Sequence, residues 1–108
     1  MHDSIPKILI HEYITGGGWK EAELPQGLAS EGFLMLSAIL EDFMKWGRFT
    51  VCTTLDKSLA QASITADSIT IIDPSEHEKT LAGLAKECDF AIIIAPESNG
   101  ILADLNGL

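Results

Sequence analysis

The feature that most constrains the fold of this chain is the alternation of short apolar runs with stretches of helical periodicity. The runs are rich in Ile, Leu, Val and Phe and predict four β-strands: Lys7–Glu12, Phe49–Thr53, Ser68–Ile72 and Asp89–Ala95. The first run is continuous in Ile and Leu, which is typical of a strand covered on both faces.

Helical patterns fill the intervals between these runs. From Ser30 to Trp46, apolar residues recur at spacings of three and four, which indicates a helix with one buried face that Gly47 ends. Three further helices are predicted: a short one at Asp56–Ala62 opened by the Asp56 side chain, one that a capping box of Ser75 and Glu78 begins and that ends near Glu87, and one that opens with Ile101, Leu102 and Leu105.

Strands that alternate with helices are typical of a parallel sheet with right-handed crossovers. The predicted fold is an α/β, Rossmann-like three-layer sandwich whose four-stranded parallel sheet has the order 3-2-1-4. In that order the first and fourth strands are neighbours, and ligands usually bind in the crevice at their carboxyl ends. The loops "TGGGWK" and "PESNG" are therefore expected to face each other across this crevice.

The length and composition narrow the class of protein. A chain of 108 residues fits a single domain, 1–108. Its formal charge of −9 argues against nucleic acid and acidic membranes as partners, and it has no secretory signal or apolar stretch of membrane-spanning length. A cytoplasmic location is expected. Cys52 and Cys88 form no metal-binding motif and are expected to be free, buried thiols.

The three glycines in "HEYITGGGWK" raise the question of a phosphate site. A dinucleotide-binding GxGxxG motif would need a third glycine where Glu21 stands, and its helix would have to begin sooner. The P-loop motif has no match either. Two interpretations remain: the glycines allow a turn with positive φ, or their N–H groups bind a ligand carboxylate or phosphate while Tyr13 and Trp19 supply flat contact area.

The sequence leaves alternative roles for the remaining polar residues. His11, at the end of the first strand, is either a structural histidine or an acid–base group, and it points away from the face that Glu12 occupies. His77 is expected to be solvated on an exposed helix. Glu97, Ser98 and Asn99 bind substrate or turn the chain and cap a helix. No nucleophile with its base, no metal triad and no paired carboxylates are recognisable.

Four segments of the chain carry a family resemblance: "KILIHEYITGGGW", "EGFLMLSAILEDF", "VCTTLD" and "DFAIIIAPESNGIL". The most specific pieces are Glu12-Tyr13 with Thr15-Gly16-Gly17-Gly18, the Glu31-Gly32 pair, and Ala95-Pro96-Glu97 before Gly100. From Lys7 to Leu102 the chain resembles the N-terminal region of ATP-grasp ligases, in the group that includes the tyramine–glutamate ligases of methanofuran biosynthesis.

The resemblance implies a preATP-grasp domain that two ATP-grasp lobes follow in a longer protein. Such ligases form an acyl phosphate from a carboxylate and ATP, and an amine then attacks it. The residues that hold ATP and Mg²⁺ belong to the later lobes, before which this sequence ends. The chain is therefore expected to be the N-terminal part of an ATP-grasp protein or a free-standing remnant, to bind no cofactor alone and to be inactive alone.

The resemblance also implies that this domain forms the substrate side of the active site. Backbone N–H groups of the glycines would face a substrate carboxylate or its acyl phosphate, and carboxylates would pair with an amine. The predicted substrate-binding residues are Glu12, Tyr13, Thr15, Gly16, Gly17, Gly18, Glu31, Glu97, Ser98 and Asn99.

The expected partners are small-molecule amine and carboxylate substrates, the ATP-grasp lobes and a second copy in a homodimer. Two alternatives from other classes stay open: a non-catalytic module that binds a small ligand or regulates, with the same Rossmann-like fold, and a purely structural interaction domain.

Overall fold

The structure, a computed structural model, describes residues 5–19 and 26–95. Within these ranges, four strands form one parallel sheet, flanked by two helices. The elements are β1 (Lys7–Glu12), α1 (Gln26–Trp46), β2 (Thr50–Asp56), β3 (Ser68–Ile72), α2 (His77–Glu87) and β4 (Phe90–Ile94). The strand order is β3-β2-β1-β4, so the predicted α/β fold and its 3-2-1-4 sheet are confirmed.

The two helices cover opposite faces of the sheet. Because side chains alternate along each strand, each helix packs against a different set of strand residues. On one face, Ile8 and Ile10 of β1 belong to a buried cluster with Leu36 and Leu40 of α1. On the other face, Leu9 packs with Leu81 of α2. The central strand β1 is therefore apolar on both sides, as its continuous run of Ile and Leu predicts.

Two elements extend beyond their predicted bounds. The predicted start of this helix, Ser30, is four residues late because the apolar periodicity begins only at Phe33, whereas α1 begins at Gln26. Pro25, directly before Gln26 in the sequence, is a residue typical of helix starts. Strand β2 continues past Thr53 to Asp56, which pairs with the end of β3. The buried Thr53 hydroxyl donates to the Ile10 carbonyl at 2.7 Å, so a polar residue is satisfied inside the sheet.

The starts of the short helices depend on aspartate caps. Asp56 accepts from the Ser58 N–H at 2.8 Å, as predicted, although the helix it opens is only the 3₁₀ turn Lys57–Leu59. The prediction that Ser75 caps the next helix is wrong. Asp73 accepts from the Ser75 N–H at 3.0 Å and opens the 3₁₀ turn Pro74–Glu76, which leads into α2.

The chain leaving β1 folds into a wide helical turn, Ile14–Gly18, which we call the glycine segment. The Gly18 N–H donates to the Tyr13 carbonyl at 2.9 Å, five residues back, as in a π-helix. Gly17 has a φ of 98°, a conformation that side chains other than glycine rarely adopt. The five residues are buried, so the segment is part of the packed interior rather than an open loop.

The helix expected from Ile101 onward lies outside the described residues. No helix among residues 5–19 and 26–95 is both long enough and apolar enough to cross a bilayer. Cys52 and Cys88 are free, as predicted, but they are half-buried and not buried. Burial, together with the neighbouring Cys52, raises the pKa of the Cys88 thiol to about 11.

Candidate functional site

The carboxyl end of β1 places two buried polar side chains on opposite faces of the sheet. Glu12 points toward α1, where its carboxylate lies against Gly32, and His11 points toward α2, where it meets His77. This is the alternation that the sequence predicts for consecutive strand residues. The site therefore has two halves, one on each face.

Glu12 holds the start of the glycine segment. Its carboxylate accepts from the Ile14 N–H at 3.1 Å, the Thr15 N–H at 2.7 Å and the Thr15 hydroxyl at 2.7 Å. Backbone donors at the start of a helical turn are the natural partners of a buried carboxylate. The hydrogen bonds of Glu12 and Thr15 therefore have a structural role: they hold the shape of the turn.

A cavity of about 440 Å³ opens between the end of β1 and the first turns of α1. It is lined by Glu12, Ile14, Leu28, Glu31, Gly32, Leu34 and Met35. Its walls are mainly apolar, and two carboxylates lie among them. A cavity of this size and character fits a small organic molecule that carries a positive charge or hydrogen-bond donors.

Gly32 allows α1 to approach Glu12 closely. A Cβ at this position would collide with the Glu12 carboxylate, so any larger residue would separate the helix from the strand end. The Glu31-Gly32 pair singled out in the sequence therefore has two functions. Glu31 contributes a carboxylate to the cavity, and Gly32 brings Glu12 to its wall.

The other half of the site is a buried histidine pair. His11 Nε2 lies 3.0 Å from His77 Nε2, and His11 Nδ1 lies 2.7 Å from the Thr54 hydroxyl. The Tyr13 ring meets the His77 ring edge to face, with centroids 5.4 Å apart. The prediction that His77 is solvated is wrong: it is 2 % exposed, because the first turn of α2 docks over the end of β1.

The environment of His11 favours its neutral form. Burial, and secondarily the adjacent His77, lowers the pKa of His11 from 6.5 to about 3. A hydrogen bond between two imidazole nitrogens needs a proton on one of them and a lone pair on the other. His11 is therefore the neutral partner in this contact, which joins β1 to α2.

Each glycine of the segment faces a different neighbour. A Cβ on Gly16 would lie 2.7 Å from the His11 ring and 2.6 Å from the Thr54 hydroxyl, and one on Gly17 would lie 2.5 Å from an Ile72 methyl. A Cβ on Gly18 would lie 2.7 Å from the Tyr13 ring. The glycines are thus required by close packing against the ends of β1, β2 and β3, and Gly17 also by its φ.

The predicted site residues divide into three groups. Glu12 and Glu31 line the cavity together, while Thr15, Tyr13 and the three glycines lie in or beside the glycine segment. Glu97, Ser98 and Asn99 lie outside the described residues, so their role and the expected facing of "TGGGWK" and "PESNG" stay predictions. The Gly18 N–H already donates to Tyr13, which leaves Gly16 and Gly17 as the predicted backbone donors.

Sequence reasoning missed the apolar wall of the cavity and the partners of His11. Leu34 and Met35 fall off the buried stripe of α1, and large exposed apolar residues at such positions are a usable signal of a binding surface. Thr54 and His77 gave no comparable signal, because their proximity to His11 depends on strand pairing and helix docking.

No group of three or more His, Cys, Asp or Glu side chains converges within residues 5–19 and 26–95.

The fold and the site define a small parallel α/β domain with a cavity at the carboxyl edge of its sheet. A family model described as the pre ATP-grasp 3 domain matches residues 49–108, more than half of the chain. The chain belongs to this family. The match begins after β1 and the glycine segment. No curated protein and no solved structure gives a significant match.

Proposed function

We propose that this chain is the substrate-side N-terminal domain of an ATP-dependent carboxylate–amine ligase. Its membership of the pre ATP-grasp 3 domain family is the observation that carries the proposal. In the complete enzyme, the ATP-grasp lobes would supply the residues for ATP and Mg²⁺, whose chemistry is to activate the carboxylate as an acyl phosphate. The part played by this chain is to bind and orient substrate.

The cavity beside α1 supports an amine-binding role. Glu31 is exposed at its rim and makes no ion pair with any residue in the described ranges, so its carboxylate is free to pair with an ammonium group. Ile14, Leu28, Leu34 and Met35 would cover the apolar body of the amine. Glu12, which already accepts three hydrogen bonds, would add negative potential at the base of the cavity.

The acid substrate is proposed to bind beside the glycine segment, whose residues are buried, so their N–H groups would have to become accessible when the substrate binds. The N–H groups of Gly16 and Gly17 are the proposed donors to its carboxylate or acyl phosphate, with Glu97, Ser98 and Asn99 as further proposed contacts. The narrower proposal is that the amine is tyramine and the acid is glutamate, in methanofuran biosynthesis. It rests on the motif resemblance alone.

Calorimetric titration of the chain with MgATP and with tyramine tests the proposal. We expect no tight binding of MgATP, and saturable binding of the amine that weakens at least about tenfold, or about 1.4 kcal/mol, in Glu31→Gln. Glu41→Gln, also an exposed carboxylate of α1, is the matched control and should bind as the parent chain does.

Two results would contradict this function. Tight MgATP binding by this chain alone would mean that the nucleotide site lies in this domain and not in the ATP-grasp lobes. Equal amine affinities of Glu31→Gln and Glu41→Gln would show that the amine does not bind at Glu31 in the cavity. Saturable binding of inorganic phosphate with amide shifts at Gly16 and Gly17, but no amine binding, would instead favour the non-catalytic ligand-binding module.

A further inference from the structure

The only two cysteines of the sequence lie side by side on the face of the sheet that α2 covers. Cys52 belongs to β2 and pairs with Leu9 of β1, and Cys88 directly follows α2. Both side chains pack against the buried pair of Leu9 and Leu81. The proposed function uses neither thiol.

The two thiols are joined by a side-chain hydrogen bond. In the sheet, β1 lies between β2 and β4, and the N–H of Asp89, the residue after Cys88, donates to the Lys7 carbonyl at 2.9 Å. The carboxyl end of α2 therefore brings Cys88 over the first residues of β1, where it meets Cys52. Strand pairing and helix docking create this contact between residues that are far apart in the sequence.

The surroundings of the thiols make them unequal as nucleophiles. Both are half-buried, so a small reagent can reach them while the fold holds them together. Burial, and secondarily the negative charge of an ionised Cys52, raises the pKa of Cys88 to about 11. Because the thiolate is the reactive form, Cys88 reacts slowly at neutral pH, and Cys52 is the thiol that reacts first.

We propose that Cys52 and Cys88 form a dithiol redox site, which a small-molecule disulfide oxidises to an intramolecular disulfide. The Cys52 thiolate attacks the small-molecule disulfide, forms a mixed disulfide and releases one small thiolate. This step removes the Cys52 charge that raises the pKa of Cys88. The Cys88 thiolate then attacks the Cys52 sulfur and releases the second small thiolate. The two protein thiols lose two protons and two electrons, which the small-molecule disulfide gains as it becomes two thiols.

The disulfide fixes the carboxyl end of α2 to β2. His77, at the amino end of the same helix, is already bonded to His11, so oxidation attaches both ends of α2 to the sheet. It also closes a loop from residue 52 to residue 88, which restricts the unfolded chain. The thiols lie on the α2 face and the cavity on the α1 face, so the redox site is independent of the proposed function.

Incubation of the chain with oxidised glutathione at about pH 8, followed by intact-mass spectrometry, tests the proposal. The mass should fall by about 2 Da, neither thiol should then react with a thiol reagent, and a reductant should reverse both changes. The tryptic peptides that contain Cys52 and Cys88 should be linked. The melting temperature of the oxidised chain should rise by about 5 °C or more, because the closed loop restricts the unfolded state.

Single-cysteine variants separate the roles of the two thiols. Cys88→Ser should stop at a stable glutathione adduct on Cys52. Cys52→Ser should react with oxidised glutathione at least about tenfold more slowly than Cys88→Ser, because burial still raises the pKa of Cys88. The variant that carries both substitutions is the matched control, and oxidised glutathione should change neither its mass nor its melting temperature.

The result for the parent chain decides the proposal even where a variant does not fold, which circular dichroism detects. Two reactive thiols after prolonged incubation would overturn it. A glutathione adduct or a disulfide-linked dimer as the main product would overturn it equally, because the two thiols would then not reach each other. A disulfide that leaves the melting temperature unchanged or lowers it would contradict the fixing of α2.

Discussion

Two histidines that lie 66 positions apart in the sequence make the most consequential side-chain contact in this domain. His11 ends the central strand and His77 begins the helix that covers it, so their hydrogen bond sets how α2 sits on the sheet. Gly16 lies against the same imidazole, which ties the glycine segment to the pair. A change in the charge of His11 would therefore disturb both the docking of α2 and the glycine segment.

Acid should destabilise the domain through His11. Its pKa is about 3 in the folded state and 6.5 when unperturbed, so between these pH values the unfolded chain binds one more proton. The free energy of unfolding should fall as pH drops through this interval, by up to about 1.4 kcal/mol per pH unit. Urea denaturation at several pH values measures the slope.

The imidazole proton resonances separate this effect from that of titrating carboxylates. In the folded chain, the His11 signal should not titrate between pH 7 and about 5, where a solvent-exposed histidine would. A His11 midpoint near 6.5 would contradict a buried, neutral His11.

Replacement of Gly16 by Ala should destabilise the domain by about 2 kcal/mol or more, because the added Cβ would clash with the His11 ring and the Thr54 hydroxyl. Gly83→Ala is the matched control: it lies in α2 with open space around its Cβ position, and it should stabilise by up to about 1 kcal/mol. Thermal and denaturant unfolding measure both. Equal effects at the two positions would refute close packing as the reason for Gly16.

At the scale of elements, the glycine segment depends on one carboxylate. Glu12 satisfies two backbone N–H groups and the Thr15 hydroxyl, and it is itself buried between β1 and α1. The segment and α1 thus share a single anchoring group. Glu31, one helical residue before Gly32, contacts the same cavity but anchors nothing.

Glu12→Gln should therefore cost about 2 to 3 kcal/mol of stability, because the amide group turns a donor toward backbone donors. Glu31→Gln should stay within about 0.5 kcal/mol of the parent chain, since its side chain is exposed. Denaturant unfolding compares the two variants, and amide exchange at Ile14 and Thr15 should accelerate only in Glu12→Gln. Equal stability of both variants would assign the anchor elsewhere.

At the scale of the whole molecule, the net charge of −9 sets the response to salt. At 0.1 M salt, repulsion between the like charges of a compact acidic chain is largely screened beyond about 10 Å. The exposed Lys57–Asp73 pair, at 2.9 Å, contributes little in the opposite direction.

The melting temperature should accordingly rise by a few degrees between about 10 and 200 mM KCl. In Asp42→Lys, an exposed substitution on α1 that makes the net charge less negative, the rise should be smaller. Differential scanning calorimetry of both chains measures it. A melting temperature that falls with salt would show that attractive pairs dominate the surface.

The sequence by itself determined the strands, their parallel arrangement and the opposite faces of His11 and Glu12, while the strand order 3-2-1-4 was expected by analogy with Rossmann-like sheets. These depend on local periodicity and on the right-handed crossover, which act over a few residues or one unit. The family resemblance, and not periodicity, singled out Glu12 and Glu31 as site candidates. Periodicity placed the start of α1 four residues late, because the apolar pattern begins only at Phe33.

Only the tertiary structure decided which residues contact the glycines and histidines that the sequence singles out. The sequence singles out three glycines, but Thr54, Ile72 and Tyr13, which come close to them, lie on different elements. Periodicity places His77 on the first turn of a helix, where a polar residue is usually solvated, and only the docking of α2 buries it against His11. Contacts of this kind join residues far apart in the chain, so no local pattern contains them.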